Sequence, residues 1–157
     1  MSTHINFIPI NVAVVTISDT RVLDNDKSGD VLEKRVIKSN HKLISREIVK
    51  DDFDKISQLF LNLINNKKID VIISTGGTGL TGRDITPEVM KTLFEKTIDG
   101  FGEMFRWLSY SKIGTSALQS RALAGVSNGT YIFCLPGSPS ACRDGWDQIL
   151  IHQLDIR

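Results

Sequence analysis

Residues 71–79 read Val-Ile-Ile-Ser-Thr-Gly-Gly-Thr-Gly, an apolar run that ends in three glycines within four positions. A short β-branched run of this kind is typical of a strand buried on both faces of a parallel sheet. Glycines that follow such a strand let the backbone approach a bulky ligand, and successive N–H groups in such a loop form an anion-binding nest. The stretch therefore predicts a buried strand, Val71–Thr75, that leads into a phosphate-binding loop.

The chain on either side alternates between strand and helix patterns. Val12–Ile17 predicts a second fully buried strand, and Leu43–Val49 predicts a less buried one. Apolar residues recur at helical spacing elsewhere, which predicts helices over residues 31–40, 52–66, 86–94, 100–110 and 140–154. This alternation is typical of an open parallel sheet with helices on both faces.

One segment predicts an antiparallel hairpin. Asn128-Gly129 lies between the apolar runs Ala122–Val126 and Thr130–Leu135, and Asn-Gly favours a tight turn between two strands. The predicted fold class is therefore α/β, a three-layer αβα arrangement with a mostly parallel sheet and one antiparallel edge hairpin. Thr86 is expected to cap the helix after the glycine loop, because Pro87 suits the first helical position.

Length and composition indicate one domain and exclude several classes of partner. The 157 residues are 41% hydrophobic and 24% charged, and we expect a flexible tail over residues 1–10 and a single domain over residues 11–157. The net charge of +1 gives no field for nucleic acid or an anionic membrane surface. No apolar run is long enough for a signal peptide or a membrane span. Cys134 and Cys142 are expected to be free thiols that pack in the core, as in a cytoplasmic protein.

Polar residues follow each predicted strand, where open α/β sheets bind their ligands. The glycine loop is accompanied by an Arg-Asp pair, and the other strands are followed by hydroxyl, carboxylate and glycine groups. The candidate ligand-binding residues are Ser18, Asp19, Arg21, Thr75, Gly76, Gly77, Thr78, Gly79, Arg83, Pro136, Gly137, Ser138 and Ser140.

Two familiar phosphate motifs do not fit the loop. Gly77–Gly82 has the G-x-G-x-x-G spacing of dinucleotide-binding folds, but Pro87 places the helix start several residues too late. The P-loop pattern requires Lys and then Ser or Thr where this chain has Arg83 and Asp84. A plain turn without a ligand is the remaining alternative.

Asp51 and Asp84 follow different strands and are the candidate catalytic and metal-binding residues. Hard carboxylate oxygens suit Mg²⁺ that is bound mainly through the phosphates of a nucleotide. The alternative is that Asp51 caps the helix over residues 52–66 and that Asp84 caps a turn. Asp19 and Asp30 are also possible caps, whereas Asp24 and Asp26 are given no role.

Other side chains carry weaker signals. The three histidines, His4, His41 and His152, lack the spacing of zinc ligands. Phe101, Phe105 and Trp107 have the composition of an aromatic ligand box, but their spacing favours core or subunit interface.

Several of these strings together resemble one family. The sequence is similar to the MoaB/MogA family of molybdenum cofactor biosynthesis proteins in Val14–Asp19, Ser74–Gly79, Gly82–Glu88 and Leu135–Ala141. Three further strings resemble the B-type members of that family: Gly100–Glu103, Gly114–Ser116 and Ser120–Ala122. The resemblance extends over residues 11–157 and implies the family's three-layer α/β domain.

The resemblance also implies an activity. Active relatives bind molybdopterin, a pterin dithiolene with one phosphate, and adenylylate that phosphate with Mg-ATP, releasing pyrophosphate. By resemblance, Asp51 and Asp84 are the two important aspartates, Gly76–Gly79 is the phosphate loop and Pro136–Ser140 is the second wall of the pocket. Arg83 or Arg21 would supply positive charge, and the intact Arg83-Asp84 pair favours an active enzyme.

The resemblance leaves an alternative and implies partners. The alternative is a non-catalytic molybdopterin-binding or scaffold protein of the same fold, while a nicotinamide-dependent oxidoreductase is not expected. The implied partners are molybdopterin, ATP, further copies of the chain in a homotrimer or homohexamer, and other proteins of the molybdenum cofactor pathway.

Overall fold

The computed structural model describes residues 5–155, which form a six-stranded sheet in the order β2-β1-β3-β6-β5-β4. Strands β2, β1, β3 and β6 are parallel, whereas β5 is antiparallel to both β6 and β4. The strands are β1 (Asn11–Ile17), β2 (Lys42–Val49), β3 (Val71–Thr75), β4 (Lys96–Thr97), β5 (Leu123–Ser127) and β6 (Thr130–Leu135). The mostly parallel α/β prediction is confirmed. Strand β4 was not predicted, because two residues are too short to show a pattern.

Helices cover both faces of the sheet. They are α1 (Lys27–Lys38), α2 (Phe53–Asn65), α3 (Thr86–Leu93), α4 (Asp99–Ile113), α5 (Pro139–Gly145) and α6 (Ile151–Gln153). A π-helical turn, Trp146–Leu150, joins α5 to α6, and 3₁₀ turns cover Leu23–Asn25 and Gly114–Gln119.

Two separate cores define the helical layers. One packs α1, α4 and α5 on the sheet through Leu32, Phe101, Phe105, Cys142 and Trp146, among others. The other packs α2 and α3 on the opposite face, through residues that include Ile56, Phe60, Val89 and Met90. A ligand at the end of the sheet can therefore contact both layers.

Helix α1 begins at Lys27, before the predicted residue 31. Its N-cap is Asp26, whose Oδ1 accepts a hydrogen bond from the Gly29 N–H at 2.9 Å. Asp26 is 1% exposed and also accepts hydrogen bonds from Thr16 and Arg46. The sequence prediction gave Asp26 no role because the first turn of α1 is polar, so the apolar period shows only from residue 31.

The start of α3 also differs from the prediction. Thr86 is the first helical residue rather than the cap, and the N-cap Ile85 makes no side-chain capping bond. The Thr86 hydroxyl instead donates a hydrogen bond to the Gly76 carbonyl at 3.0 Å. The residue therefore ties α3 to the glycine loop.

The described part of the predicted tail contacts the chain near β2. The Ile10 carbonyl accepts a hydrogen bond from Lys42, and the Ile10 N–H donates to His41 Nδ1 at 3.3 Å. The Phe7 ring lies 5.2 Å from the His41 ring. Burial lowers the pKa of His41, which favours the neutral ring that this hydrogen bond requires. Residues 1–4, including His4, lie outside the described residues.

Cys134 and Cys142 are free and buried, as predicted. Burial raises the pKa of the Cys134 thiol to about 12 and that of Cys142 to about 11, so both remain protonated and pack in the core. Between residues 5 and 155, no helix has both the length and the apolarity needed to span a membrane.

Candidate functional site

A cavity of about 720 Å³ opens where β1, β3 and β6 end. All of the residues predicted to bind ligand, phosphate or metal line it except Arg83. They are Ser18, Asp19, Arg21, Asp51, Thr75, Gly76, Gly77, Thr78, Gly79, Asp84, Pro136, Gly137, Ser138 and Ser140. The position agrees with the general location of ligand sites at the carboxyl ends of parallel strands.

The glycine loop turns sharply after β3. Gly76 has φ +104° and Gly77 has φ +67°, a backbone region that glycine adopts without a steric cost. The Gly76 N–H donates to the Leu135 carbonyl, so the loop is fixed to β6. By contrast, the N–H groups of residues 77–79 have no hydrogen-bond acceptor within residues 5–155. Three free donors beside a pocket are suited to the oxygens of a phosphate.

Three carboxylates lie near one another on the α2 and α3 side of the pocket. Asp51 is half-buried, and its Oδ1 atom is fully buried without a hydrogen-bond partner among the described residues. Burial raises the pKa of Asp51, and the charges of Asp84 and Asp19 raise it further. The charge of Arg83 and a backbone hydrogen bond from Ile85 act in the opposite direction, but they offset only part of this increase.

The capping alternatives for the two aspartates have different outcomes. Asp52, and not Asp51, caps α2 by accepting a hydrogen bond from the Lys55 N–H at 2.9 Å. Asp84 does cap a turn, because its Oδ2 accepts hydrogen bonds from the Thr81 N–H at 3.0 Å and the Thr81 hydroxyl at 2.7 Å. Only one Asp84 oxygen makes these bonds, so the other is available to a ligand.

Substitution Asp51→Asn should stabilise the fold. A raised pKa in the folded chain means that ionised Asp51 opposes folding above the pKa of the unfolded chain, and that this cost fades as the pH falls. Asparagine keeps the shape of the side chain and carries no charge. We expect the melting temperature at pH 7 to rise by about 2–4 °C, the effect of about 1 kcal/mol in a chain of this size. The gain should shrink near pH 4, and a lower melting temperature at pH 7 would contradict the explanation.

Arg83 lies at the rim of the pocket rather than in its lining. Its side chain is 69% exposed, and its guanidinium pairs with the Asp19 carboxylate, with Nε 2.7 Å from Oδ2. This hydrogen bond lowers the pKa of Asp19, and Asp19 in turn accepts a hydrogen bond from the Asp51 N–H at 3.2 Å. The pair connects the loop after β1 to the glycine loop segment.

Arg121 does not line the pocket, but its side chain and backbone make hydrogen bonds that fix the glycine loop segment. Its Nε donates to the Gly79 carbonyl at 2.7 Å and its Nη2 donates to the Asp84 carbonyl at 2.9 Å. Its guanidinium also pairs with Glu88, and its own N–H donates to the Thr78 carbonyl. The sequence did not predict a role for Arg121, which was named only as part of the Ser120–Ala122 stretch that resembles the family. Nothing in the sequence near residue 121 indicates contact with residues 78–88.

Substitution Arg121→Ala should loosen the loop. Two loop carbonyls would lose their donors, and we expect a loss of about 1–3 kcal/mol in the free energy of unfolding. Arg121→Lys should recover only part of this, because an ammonium cannot reproduce the planar fork that reaches two carbonyls at once. Urea unfolding measures the free energy of unfolding of both variants. If the alanine variant were as stable as the wild type, the Arg121 contacts would not contribute to stability.

One whole side of the cavity was not predicted from the sequence. The cavity is also lined by the α1 N-cap Asp26 and by residues of α1, α4 and α5, namely Ser28, Ser109, Lys112 and Asp144. Phe105 contributes to this wall and is only 2% exposed, whereas Trp107 is 74% exposed, so the aromatic residues of α4 do not form a ligand box.

The residues present fit a magnesium ion that is carried by a nucleotide. The lining contains the carboxylates of Asp19, Asp26, Asp51, Asp84 and Asp144 and the cations of Arg21 and Lys112. Within residues 5–155, no group of three or more His, Cys, Asp or Glu side chains forms a metal cage. Mg²⁺ usually needs only one or two carboxylates, because phosphates and water complete its coordination, and the unpartnered Asp51 oxygen is a donor of that kind.

Comparison with known proteins gives consistent results. A family model described as a probable molybdopterin binding domain matches residues 13–155. The chain is 44% identical over 151 residues to molybdenum cofactor biosynthesis protein B of Escherichia coli (strain K12), covering 96% of this chain and 89% of that one. It is also 41% identical over 141 residues to a probable molybdopterin adenylyltransferase of Methanocaldococcus jannaschii, covering 85% and 83% of the two chains.

Solved structures share the fold. A crystal structure of molybdenum cofactor biosynthesis protein B superposes with a TM-score of 0.91 at 41% identity, covering 94% of this chain and 92% of that one. The tungsten cofactor synthesizing protein MoaB of Pyrococcus furiosus has a TM-score of 0.82 at 35% identity, with 93% and 95% covered.

Proposed function

Because the chain belongs to the family described as probable molybdopterin binding domains, we propose that it is a molybdopterin adenylyltransferase of molybdenum cofactor biosynthesis. In this reaction AMP passes from ATP to the phosphate of molybdopterin, and pyrophosphate is released. The observation that carries the proposal is the pairing of three free N–H donors, at residues 77–79, with the carboxylates of Asp51 and Asp84 in one pocket.

The site does not need a strong base for this reaction. An oxygen of the molybdopterin phosphate, already ionised at neutral pH, attacks the α-phosphorus of ATP, and the bond from that phosphorus to the bridging oxygen breaks. Catalysis of such a step depends on alignment and on neutralising charge. The free N–H groups of the glycine loop would hold phosphate oxygens, and Arg21 and Arg83 would add positive charge.

Asp51 and Asp84 would hold Mg²⁺ that arrives with ATP. The ion, when bound, offsets negative charge on the phosphates and on the departing pyrophosphate. The need for a divalent ion has a physical basis, because the carboxylates of Asp51 and Asp84 line the pocket without an ion-pair partner among the described residues and would repel the phosphates of ATP. Asp51 would exchange an unfavourable buried charge for a partner, which is consistent with its raised pKa.

The proposal is tested by incubating the purified protein with molybdopterin, MgCl₂ and ATP labelled at the α-phosphate. Transfer of label to molybdopterin with equal release of pyrophosphate supports it, and the transfer should stop when EDTA removes the divalent ion. Binding of molybdopterin without transfer of label would instead indicate the non-catalytic scaffold.

We further propose that the chain forms a homotrimer or homohexamer through α4. Met104, Trp107 and Tyr110 are 52%, 74% and 60% exposed on this helix, and Leu118 beyond it is 75% exposed. Large apolar side chains grouped on a surface favour contact with another protein surface. A second copy is the occupant that the family resemblance implies.

Substitution Trp107→Glu should reduce the assembly to a smaller species, because it places a charge in the apolar contact. Light scattering coupled to size exclusion measures the mass of wild type and variant at the same concentration. Tyr131→Glu is the matched control, since Tyr131 is an aromatic residue that is 50% exposed on β6 rather than on α4. A monomeric wild type at tens of micromolar would contradict the proposal.

We place the protein in the cytoplasm and in contact with other proteins of the pathway. The two free cysteines support a reducing compartment. The adenylylated product is an activated phosphoanhydride, so a further protein that accepts it and inserts molybdate is required.

A further inference from the structure

The pocket extends across the end of the sheet from one helical layer to the other. The glycine loop leads into α3, and Asp51 precedes α2, so the phosphate-binding features lie on the α2 and α3 side. Asp144 lies in α5, which packs in the opposite layer with α1 and α4. The wall on that side is formed by Phe105, Ser109, Lys112, Ile113, Ala141 and Asp144.

Molybdopterin is an elongated molecule whose two ends differ in chemistry. Its phosphate lies at one end, and the other end is the pyrimidine ring of the pterin. With the molybdopterin phosphate beside the glycine loop, where it meets the phosphates of ATP, the pyrimidine ring has room to extend toward the wall formed by α4 and α5 in the same cavity. This placement of molybdopterin in the pocket rests on the proposed function.

Asp144 is the only carboxylate among the lining residues of that wall. Its side chain is 17% exposed, and its Oδ1 accepts a hydrogen bond from the Lys112 ammonium. Its Oδ2 has no hydrogen-bond partner within residues 5–155. Because each carboxylate oxygen accepts two hydrogen bonds, Asp144 can take two further donors while keeping Lys112.

The chemistry of the two rings decides which one suits a carboxylate. A pterin presents a ring N–H and an amino group side by side, and both are donors that match the two oxygens of a carboxylate. Adenine presents an amino donor next to a ring nitrogen acceptor, so a carboxylate satisfies one group and faces the lone pair of the other. A carboxylate in this wall therefore selects the pterin and not the nucleobase.

We propose that Asp144 is a specificity-determining residue that binds the amino and N–H edge of the pterin ring. The side of the pocket between α4 and α5 is then the pterin subsite.

The test compares pterin with lumazine, which has a carbonyl in place of the 2-amino group. Fluorescence titration of the full-length protein measures the affinity for each compound. Wild type should prefer pterin about tenfold or more, because lumazine places a carbonyl against the carboxylate. Asp144→Asn supplies one acceptor and one donor, which match the N–H and carbonyl of lumazine, so the preference should reverse. Asp144→Ala should weaken pterin binding and abolish the preference between the two compounds.

The matched control is Asp147→Asn in the helical segment that follows α5. Asp147 pairs with Arg35 and does not line this pocket, so its variant should keep the preference for pterin. The reversal in Asp144→Asn is a gain of lumazine binding, which a misfolded chain cannot produce. Transfer of AMP by wild type together with an unchanged pterin preference in both Asp144 variants would overturn the assignment of Asp144 alone. Absence of both AMP transfer and pterin binding in wild type would overturn the proposed function as well.

Discussion

Replacing Asp84 by asparagine should lower the rate of AMP transfer by about 100-fold or more while the chain remains folded. Loss of one preorganised electrostatic group costs this much in other enzymes that stabilise a charged transition state. Asparagine retains a carbonyl oxygen that can accept the hydrogen bonds from the Thr81 N–H and hydroxyl, so the turn that Asp84 caps should persist. Only the negative charge needed to hold Mg²⁺ is lost.

Steady-state assay of AMP transfer measures this effect, and circular dichroism confirms the fold. Asp24→Asn is the control, because Asp24 is an exposed aspartate that does not line the main pocket. We expect that control to stay within about twofold of wild type. Near-normal turnover of the Asp84 variant would remove Asp84 from the catalytic machinery and would leave Asp51 to be tested in the same way.

The position of the pocket follows from local sequence. The buried strands after Asn11 and before Gly76 each show a β-branched run, and the residues that follow a parallel strand reach the ligand edge of the sheet by topology alone. For this reason Asp19, Asp51 and Asp84 were predicted to face one crevice, and all three line the cavity. Their roles in catalysis and metal binding stay predictions.

The other wall of the pocket cannot be predicted in this way. Lys112 and Asp144 contact each other across 32 positions of sequence, and their pairing depends on how α4 packs against α5. Neither helix carries a motif at these residues, and an amphipathic pattern indicates only which side faces the core. Asp26 was missed for a different reason, because a cap that starts a polar first turn resembles an ordinary loop residue.

Arg121 illustrates the same limit for a positioning residue. Its contacts with the Gly79 and Asp84 carbonyls span about 40 positions, and an arginine after a 3₁₀ turn is not unusual in sequence. The glycine loop itself was predicted because its function requires particular backbone angles, which only certain residues adopt. A side chain that only contacts the loop, such as that of Arg121, does not need a particular backbone conformation, so the sequence does not reveal it.

Substitution Gly76→Ala should have the largest effect on stability of any change in the loop. A Cβ atom at residue 76 would lie 2.2 Å from the Ile17 carbonyl oxygen, which is backbone and cannot rotate away. The residue also has φ +104°, a conformation that side chains rarely adopt. Relief of the clash would separate the loop from the end of β1, and we expect a loss of at least about 2 kcal/mol in the free energy of unfolding.

The same displacement would move the free N–H groups of residues 77–79 away from their positions beside the pocket, so the affinity for Mg-ATP should fall at least about tenfold. Gly82→Ala is the matched control in the same segment, because its Cβ would have no atom within 4 Å and the residue has ordinary backbone angles. That variant should stay within about 0.5 kcal/mol of wild type. Urea unfolding and calorimetric titration with Mg-ATP separate the two effects. If Gly76→Ala bound Mg-ATP as tightly as Gly82→Ala does, the phosphates would have to be held elsewhere, and the glycine loop would be a structural turn.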